Sequence, residues 1–158
     1  MTMPSSLRRA SRLFSLGLVL LAAPLGAAEQ PPQQPVQIKI GTILATNQAE
    51  CLDSQLAKLK QQLEVVKYRC YRLMREDAQN GKWQANTVFE IAGGRSLVVV
   101  PYEFRNNRIS LKVRLLEGEK PIVDTTVRFP NKGNFLLGGP AHEGGVLILS
   151  ISAAASGQ

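Results

Sequence analysis

His142 is the only histidine in the chain, and it stands beside Glu143 in a glycine-rich stretch, Gly138 to Gly145. An imidazole next to a carboxylate is the kind of pair that acid–base chemistry uses, so a small hydrolase centred on His142 and Glu143 is one reading. Neighbours in a loop seldom orient one another, however, and no G-x-S-x-G nucleophile elbow accompanies them. An exposed loop histidine is the plainer reading. Cys51, Cys70 and His142 lack the spacing of a metal-ligand set, and no cofactor fingerprint occurs. The expectation is therefore no catalytic residue, no metal and no cofactor. The glycines of 138–145 lack the lysine and following helix of a phosphate cradle, and read instead as a wide turn with positive φ.

Two further sets of side chains carry potential chemistry. Tyr68, Tyr71 and Trp83 interleave with Arg69, Arg72 and Arg75, a mixture able to hold a carbohydrate or an anionic polymer. Strand alternation splits that cluster between two faces, which favours core tyrosines with solvated arginines. Cys51 and Cys70 are the only cysteines. A helix over 53–66 is about 21 Å long, and a strand returning from Tyr68 recovers only about 10 Å by Cys70. The sulfurs then lie roughly 10 Å apart along the axis, too far for a bridge, so the sequence favours two separate thiols.

The elements that position these residues follow from hydrophobic periodicity. Val36, Ile38 and Ile40 alternate with Gln37 and Lys39, and mark a first strand that continues to Ala45. Leu52, Leu56, Leu59, Leu63 and Val66 recur at helical spacing and predict one amphipathic helix lying on a sheet. From Tyr68 onward the signals are those of strands. Asn80-Gly81, Gly93-Gly94, Asn106-Asn107, Gly118 and Asn131–Gly133 punctuate them as turns, and Pro101 predicts an edge or a bulge. Ile109, Leu111, Val113 and Leu115 alternate with Ser110, Lys112 and Arg114, so Lys112 and Arg114 must face solvent or a partner. The resulting fold class is α+β: one N-terminal strand and an amphipathic helix, followed by a mostly antiparallel sheet of about six or seven strands.

Arg8, Arg9 and Arg12, the apolar run Leu13 to Leu25 and the small residues Gly26-Ala27-Ala28 form an export signal. The apolar run is shorter than the roughly 20 residues that span a bilayer, so no transmembrane helix is expected to be retained. No cysteine follows the signal, which argues against a lipoprotein. The expected organisation is a signal peptide over 1–28, a Pro/Gln-rich flexible leader over 29–35, a single domain over 36–152 and a flexible tail over 153–158. Loss of the signal removes three of the nineteen basic side chains and none of the twelve acidic ones, so the net charge falls from +7 to about +4. That excess suits an anionic envelope polysaccharide or lipid. Scattered basic residues without a recognition motif exclude nucleic acid as the expected partner.

Thr125-Thr126-Val127, Asn131-Lys132-Gly133 and Leu136-Leu137-Gly138-Gly139 together resemble the C-terminal hairpin pattern of the bacterial secretin family of outer-membrane secretion channels. The likeness covers Val123 to Ile151, and Pro140 to Gly145 departs from it. The chain as a whole is similar to small exported bacterial proteins without assigned activity. The resemblance implies a place in a secretion or envelope complex. The functional expectation is a non-catalytic binding or accessory module, periplasmic or secreted, that meets an envelope protein through a sheet edge or through the face carrying Lys112 and Arg114. The alternatives are the His142–Glu143 enzyme and a binder of anionic envelope polysaccharide or lipid. N-terminal sequencing of the exported protein is expected to begin at Glu29; a start at Met1 would overturn the signal.

Overall fold

The computed structural model describes residues 34–156; the expected signal and most of the leader lie outside the described residues. Nine strands form two sheets. β1 (Val36–Thr46), β2 (Cys51–Leu52), β3 (Cys70–Gly81), β8 (Asn134–His142) and β9 (Gly145–Ala154) make the first, in the order β2-β3-β1-β9-β8. β4 (Thr87–Ile91), β5 (Arg95–Arg105), β6 (Arg108–Glu117) and β7 (Lys120–Pro130) make the second, in sequential order. The anticipated single sheet of six or seven strands is therefore corrected to a five-stranded and a four-stranded sheet packed face to face. Period-two alternation specifies one buried face for a strand but not which sheet receives it.

The inward faces of both sheets supply the main core. Ile38, Ile40 and Leu44 of β1 meet Phe89, Leu97, Val99, Leu111, Val113 and Leu115 of the other sheet, with Leu147, Leu149 and Ile151 beside them. A second, smaller core lies on the outside of the five-stranded sheet, where Ile43, Ala45, Ile148 and Tyr71 receive Leu56 and Leu63. β1 alternates buried and exposed over Val36–Lys39 and is buried on both faces from Ile40 to Ala45. The change marks where the helical cover begins.

That cover differs from the anticipated helix over 53–66. A 3-10 turn, Ser54–Leu59, is followed by only one and a half turns of α-helix, α1 (Lys60–Glu64). Asp53 caps the 3-10 turn by accepting from the Gln55 amide at 3.0 Å, and its other carboxylate oxygen accepts from the Leu73 amide at 3.4 Å. Lys67 at φ 64° then reverses the chain into β3. Of the five expected apolar positions, Leu56 and Leu63 are fully buried and Leu59 and Val66 pack beside them. Leu52 lies outside, in β2.

The turns are hairpin turns of the kind that the right-handed strand twist demands. Asn106 and Asn107 both have positive φ, as do Glu143 and Gly144. The glycine-rich stretch 138–145 is thus corrected from a wide loop to the end of β8, a two-residue turn and the start of β9, with a bulge between Gly138 and Ala141. Asn80-Gly81 is likewise not a turn. β3 stays paired with β1 as far as Val36↔Gly81, and a side chain at Gly81 would strike Ile38 Cδ1 and Thr87 Oγ1, both 2.7 Å from its Cβ position. The glycine there serves close packing, and the connection to β4 comes after it. A bulge does follow Pro101. At the C-terminus β9 extends to Ala154, and Ala155 is held by reciprocal hydrogen bonds with the Asn131 side chain, each 2.9 Å. Among the described residues, no helix is long and apolar enough to cross a membrane.

Tyr71 fastens the helical cover to the sheet. Its buried hydroxyl donates to the Leu63 carbonyl at 2.7 Å and accepts from the Tyr68 amide at 2.9 Å, satisfying both groups where the helix ends. Tyr71→Phe is expected to cost about 1–3 kcal/mol, because the Tyr68 amide loses its partner and the Leu63 carbonyl keeps only the Val66 amide, at 2.9 Å, while the packing is kept. Urea denaturation measures it, and a difference below about 0.5 kcal/mol would remove Tyr71 from this role.

Candidate functional site

The outer face of the five-stranded sheet is covered over only half its length. Where the cover stops, a groove of about 850 Å³ opens between the 3-10 turn and the connection from β7 to β8. Gly41 of β1 with Ser150 and Ser152 of β9 form its floor, Ser54 to Leu59 one wall, and Lys132 to Asn134 the other. Lys39, Lys58 and Lys132 line it together with a single carboxylate, Glu76, which Lys39 contacts at 3.1 Å. Lys58 and Lys132 take part in no ion pair among the described residues. The far wall is tied to the helix by a reciprocal amide pair, Gln62 Nε2 to Asn134 Oδ1 at 3.0 Å and Asn134 Nδ2 to Gln62 Oε1 at 3.1 Å.

Gly41 is the unusual residue of this floor. Its φ is not positive, and a Cβ would meet Leu73 Cδ1 and Ser150 Cβ at 3.5 Å each, which is ordinary contact. Glycine in a strand interior costs about 0.5–1 kcal/mol relative to alanine, so neither backbone angle nor packing accounts for it.

Lys112 and Arg114 lie on β6, both exposed, on the outer face of the four-stranded sheet. Lys112 Nζ sits 4.6 Å from the centroid of the Tyr102 ring, a cation–π contact. Around them Val88, Tyr102 and Ile122 are 52%, 49% and 39% exposed. No element of the described residues covers this face.

His142 and Glu143 occupy the end of β8 and the following turn, with Nε2 and Oε1 separated by 3.6 Å, beyond hydrogen-bond distance. The group that organises this end of the molecule is Arg95. Its guanidinium donates to the Ala92 carbonyl at 3.0 Å and the Ala141 carbonyl at 3.4 Å, and it pairs with Glu117 at 3.1 Å, with the side chain nine-tenths buried. It thereby clasps the four-stranded sheet to β8 of the other sheet. Sequence reasoning marked only the Gly93-Gly94 turn before it and missed Arg95, since its partners Glu117 and Ala141 lie far along the chain and leave no local signal. The arginine–tyrosine cluster does not converge. Tyr71 is buried beneath the helix, Arg75 pairs with Asp77 at 2.6 Å and reaches Glu90 at 3.7 Å, and Trp83 Nε1 donates to the Gln34 carbonyl at 3.0 Å. Among the described residues, no group of three or more His, Cys, Asp or Glu side chains is arranged to hold a metal ion.

The two cysteines depart from the reading that favoured separate thiols. Cys51 and Cys70 form a disulfide, with Cα atoms 4.3 Å apart. The estimate of roughly 10 Å assumed one straight helix over 53–66. Instead β2 runs parallel to β3 with Cys51 opposite Cys70, and the short cover doubles back between them. The bridge closes the base of the segment that walls the groove. Comparison with known proteins finds no family model, no curated protein and no solved structure that matches the chain.

A bridge across 19 positions stabilises by about 3 kcal/mol in the chain-entropy account. The Cys51→Ser/Cys70→Ser double variant is therefore expected to unfold at a correspondingly lower urea concentration. Equal midpoints for it and the oxidised protein would show that the bridge leaves stability unchanged.

Proposed function

We propose that the protein is an exported, non-catalytic accessory module of the bacterial cell envelope that binds an acidic surface of a protein partner through the outer face of its four-stranded sheet. One asymmetry between the two sheets carries this reading. The middle of the five-stranded sheet's outer face is buried by the chain's own helical cover, with Leu52 at the sheet edge and Val65 on the cover left exposed, whereas the outer face of the other sheet has no cover and exposes Val88, Tyr102 and Ile122 together. Exposed apolar and aromatic groups among long cations are the composition of an interface rather than of a solvated face. Lys112 and Arg114 stand in its middle and Arg128 at its margin, with Asp124 opposite Arg114 and Glu90 on β4, so cations exceed carboxylates by one. Lys112 and Arg114 are the groups that would meet carboxylates of the partner. The secretin-like pattern over Val123 to Ile151, which spans β7, β8 and β9, makes a secretion complex the assembly in which to seek that partner first.

The reading is tested by cross-linking in intact cells, with a photoreactive residue at Tyr102, and by mass spectrometry of what is attached. One envelope protein is expected in stoichiometric yield. Lys112→Glu/Arg114→Glu is expected to abolish that product while lowering stability by only about 1–2 kcal/mol, the cation–π contact with Tyr102 and the pairing of Arg114 opposite Asp124 being lost from an exposed face. Reversing acidic residues on the partner is expected to restore it. Capture unchanged by the double reversal would exclude this face, and a cross-link to a second copy of the chain would replace the partner by self-association.

A further inference from the structure

We infer that the groove over Gly41, Ser150 and Ser152 is a second binding site, on the opposite side of the sandwich, and that it takes a short segment of an anionic glycan. Three properties of the groove select this ligand class. Three ammonium groups against one carboxylate leave the lining cationic, and Lys58 and Lys132 make no ion pair among the described residues. The hydroxyls of Ser54 and Ser150 can both donate and accept, and that of Ser152, which donates to the Lys39 carbonyl at 3.5 Å, can accept, which matches the hydroxyls of a sugar. Its volume of about 850 Å³ lies within the range of ligand sites.

Other anionic ligands fit less well. The floor strands β1 and β9 are interior strands paired on both sides, so an acidic peptide finds no free main-chain ladder there. None of the exposed large apolar side chains, which would receive a lipid's acyl chains, lines the groove. No aromatic residue lines the groove, so a neutral glycan has no ring to stack on. Charge-assisted hydrogen bonds to carboxylate, sulfate or phosphate groups must hold the ligand.

The test is titration of the ¹⁵N-labelled, oxidised protein, followed by NMR, with oligogalacturonate, a heparin oligosaccharide and a phosphorylated oligomannose. Maltotetraose, hexaglutamate and phosphatidylglycerol vesicles serve as comparisons. At least one anionic glycan is expected to shift the Gly41, Ser150 and Ser152 amides, to weaken with added salt, and to bind about tenfold less tightly to Lys58→Gln/Lys132→Gln, as the loss of charge-assisted hydrogen bonds requires. The inference is overturned if none of the three glycans moves these amides, if hexaglutamate or the vesicles do so as strongly, or if the lysine variant binds as well as the parent.

Discussion

Every layer of the molecule depends on β1 being buried on both sides. Ile38, Ile40 and Leu44 enter the core between the sheets, while Ile43 and Ala45, on the opposite face of the same strand, enter the core beneath the helical cover. A strand in this position cannot slip by one residue, because the shift would drive Lys39 and Gln37 into the sandwich and turn Ile38 and Ile40 outward. The pairings of β1 with β3 on one side and β9 on the other inherit that register, and the cover is seated by it. The same constraint locates the groove. The outer face turns from apolar to polar at Gly41, and the cover ends where the side chains it would bury run out.

Much of this was legible in the residues. Alternation over 109–115 placed Lys112 and Arg114 on the exposed face of a strand, and Asn106-Asn107 and Gly93-Gly94 marked real reversals. What stayed hidden was decided at long range. Alternation cannot tell whether Phe89 and Ile38 share a sheet or face each other across a core. Asn80-Gly81 has the composition of a turn, but the ladder to Val36 and the packing of Ile38 and Thr87 against Gly81 override that local preference. The leucine stripe over 52–66 showed the buried face correctly and a single straight helix wrongly, because Ser54–Leu59 winds as a 3-10 turn and only Lys60–Glu64 as α-helix. The disulfide was misjudged for the same reason.

The candidate sites were legible in unequal measure. The partner face could be found because it belongs to one strand. The groove assembles Lys39, Lys58, Glu76, Lys132 and Ser150 from five separate stretches of chain, and nothing in their spacing announces it. Arg95 is the clearest case, since its work of joining Ala92, Glu117 and Ala141 exists only once both sheets are in place.

The pairing of Gln37 with Ala154 has a mechanical consequence. The described chain enters β1 and leaves β9 at the same end of the five-stranded sheet, on adjacent antiparallel strands. A pull that separates the two ends therefore loads their ladder one rung at a time and peels it open, whereas a pull along the strands would load all the rungs together. A tether at either terminus suspends the body from one pole, with the Arg95 clasp at the other. In that geometry the cationic groove and the cationic sheet face look out to opposite sides of the stalk, and neither lies in the line of tension.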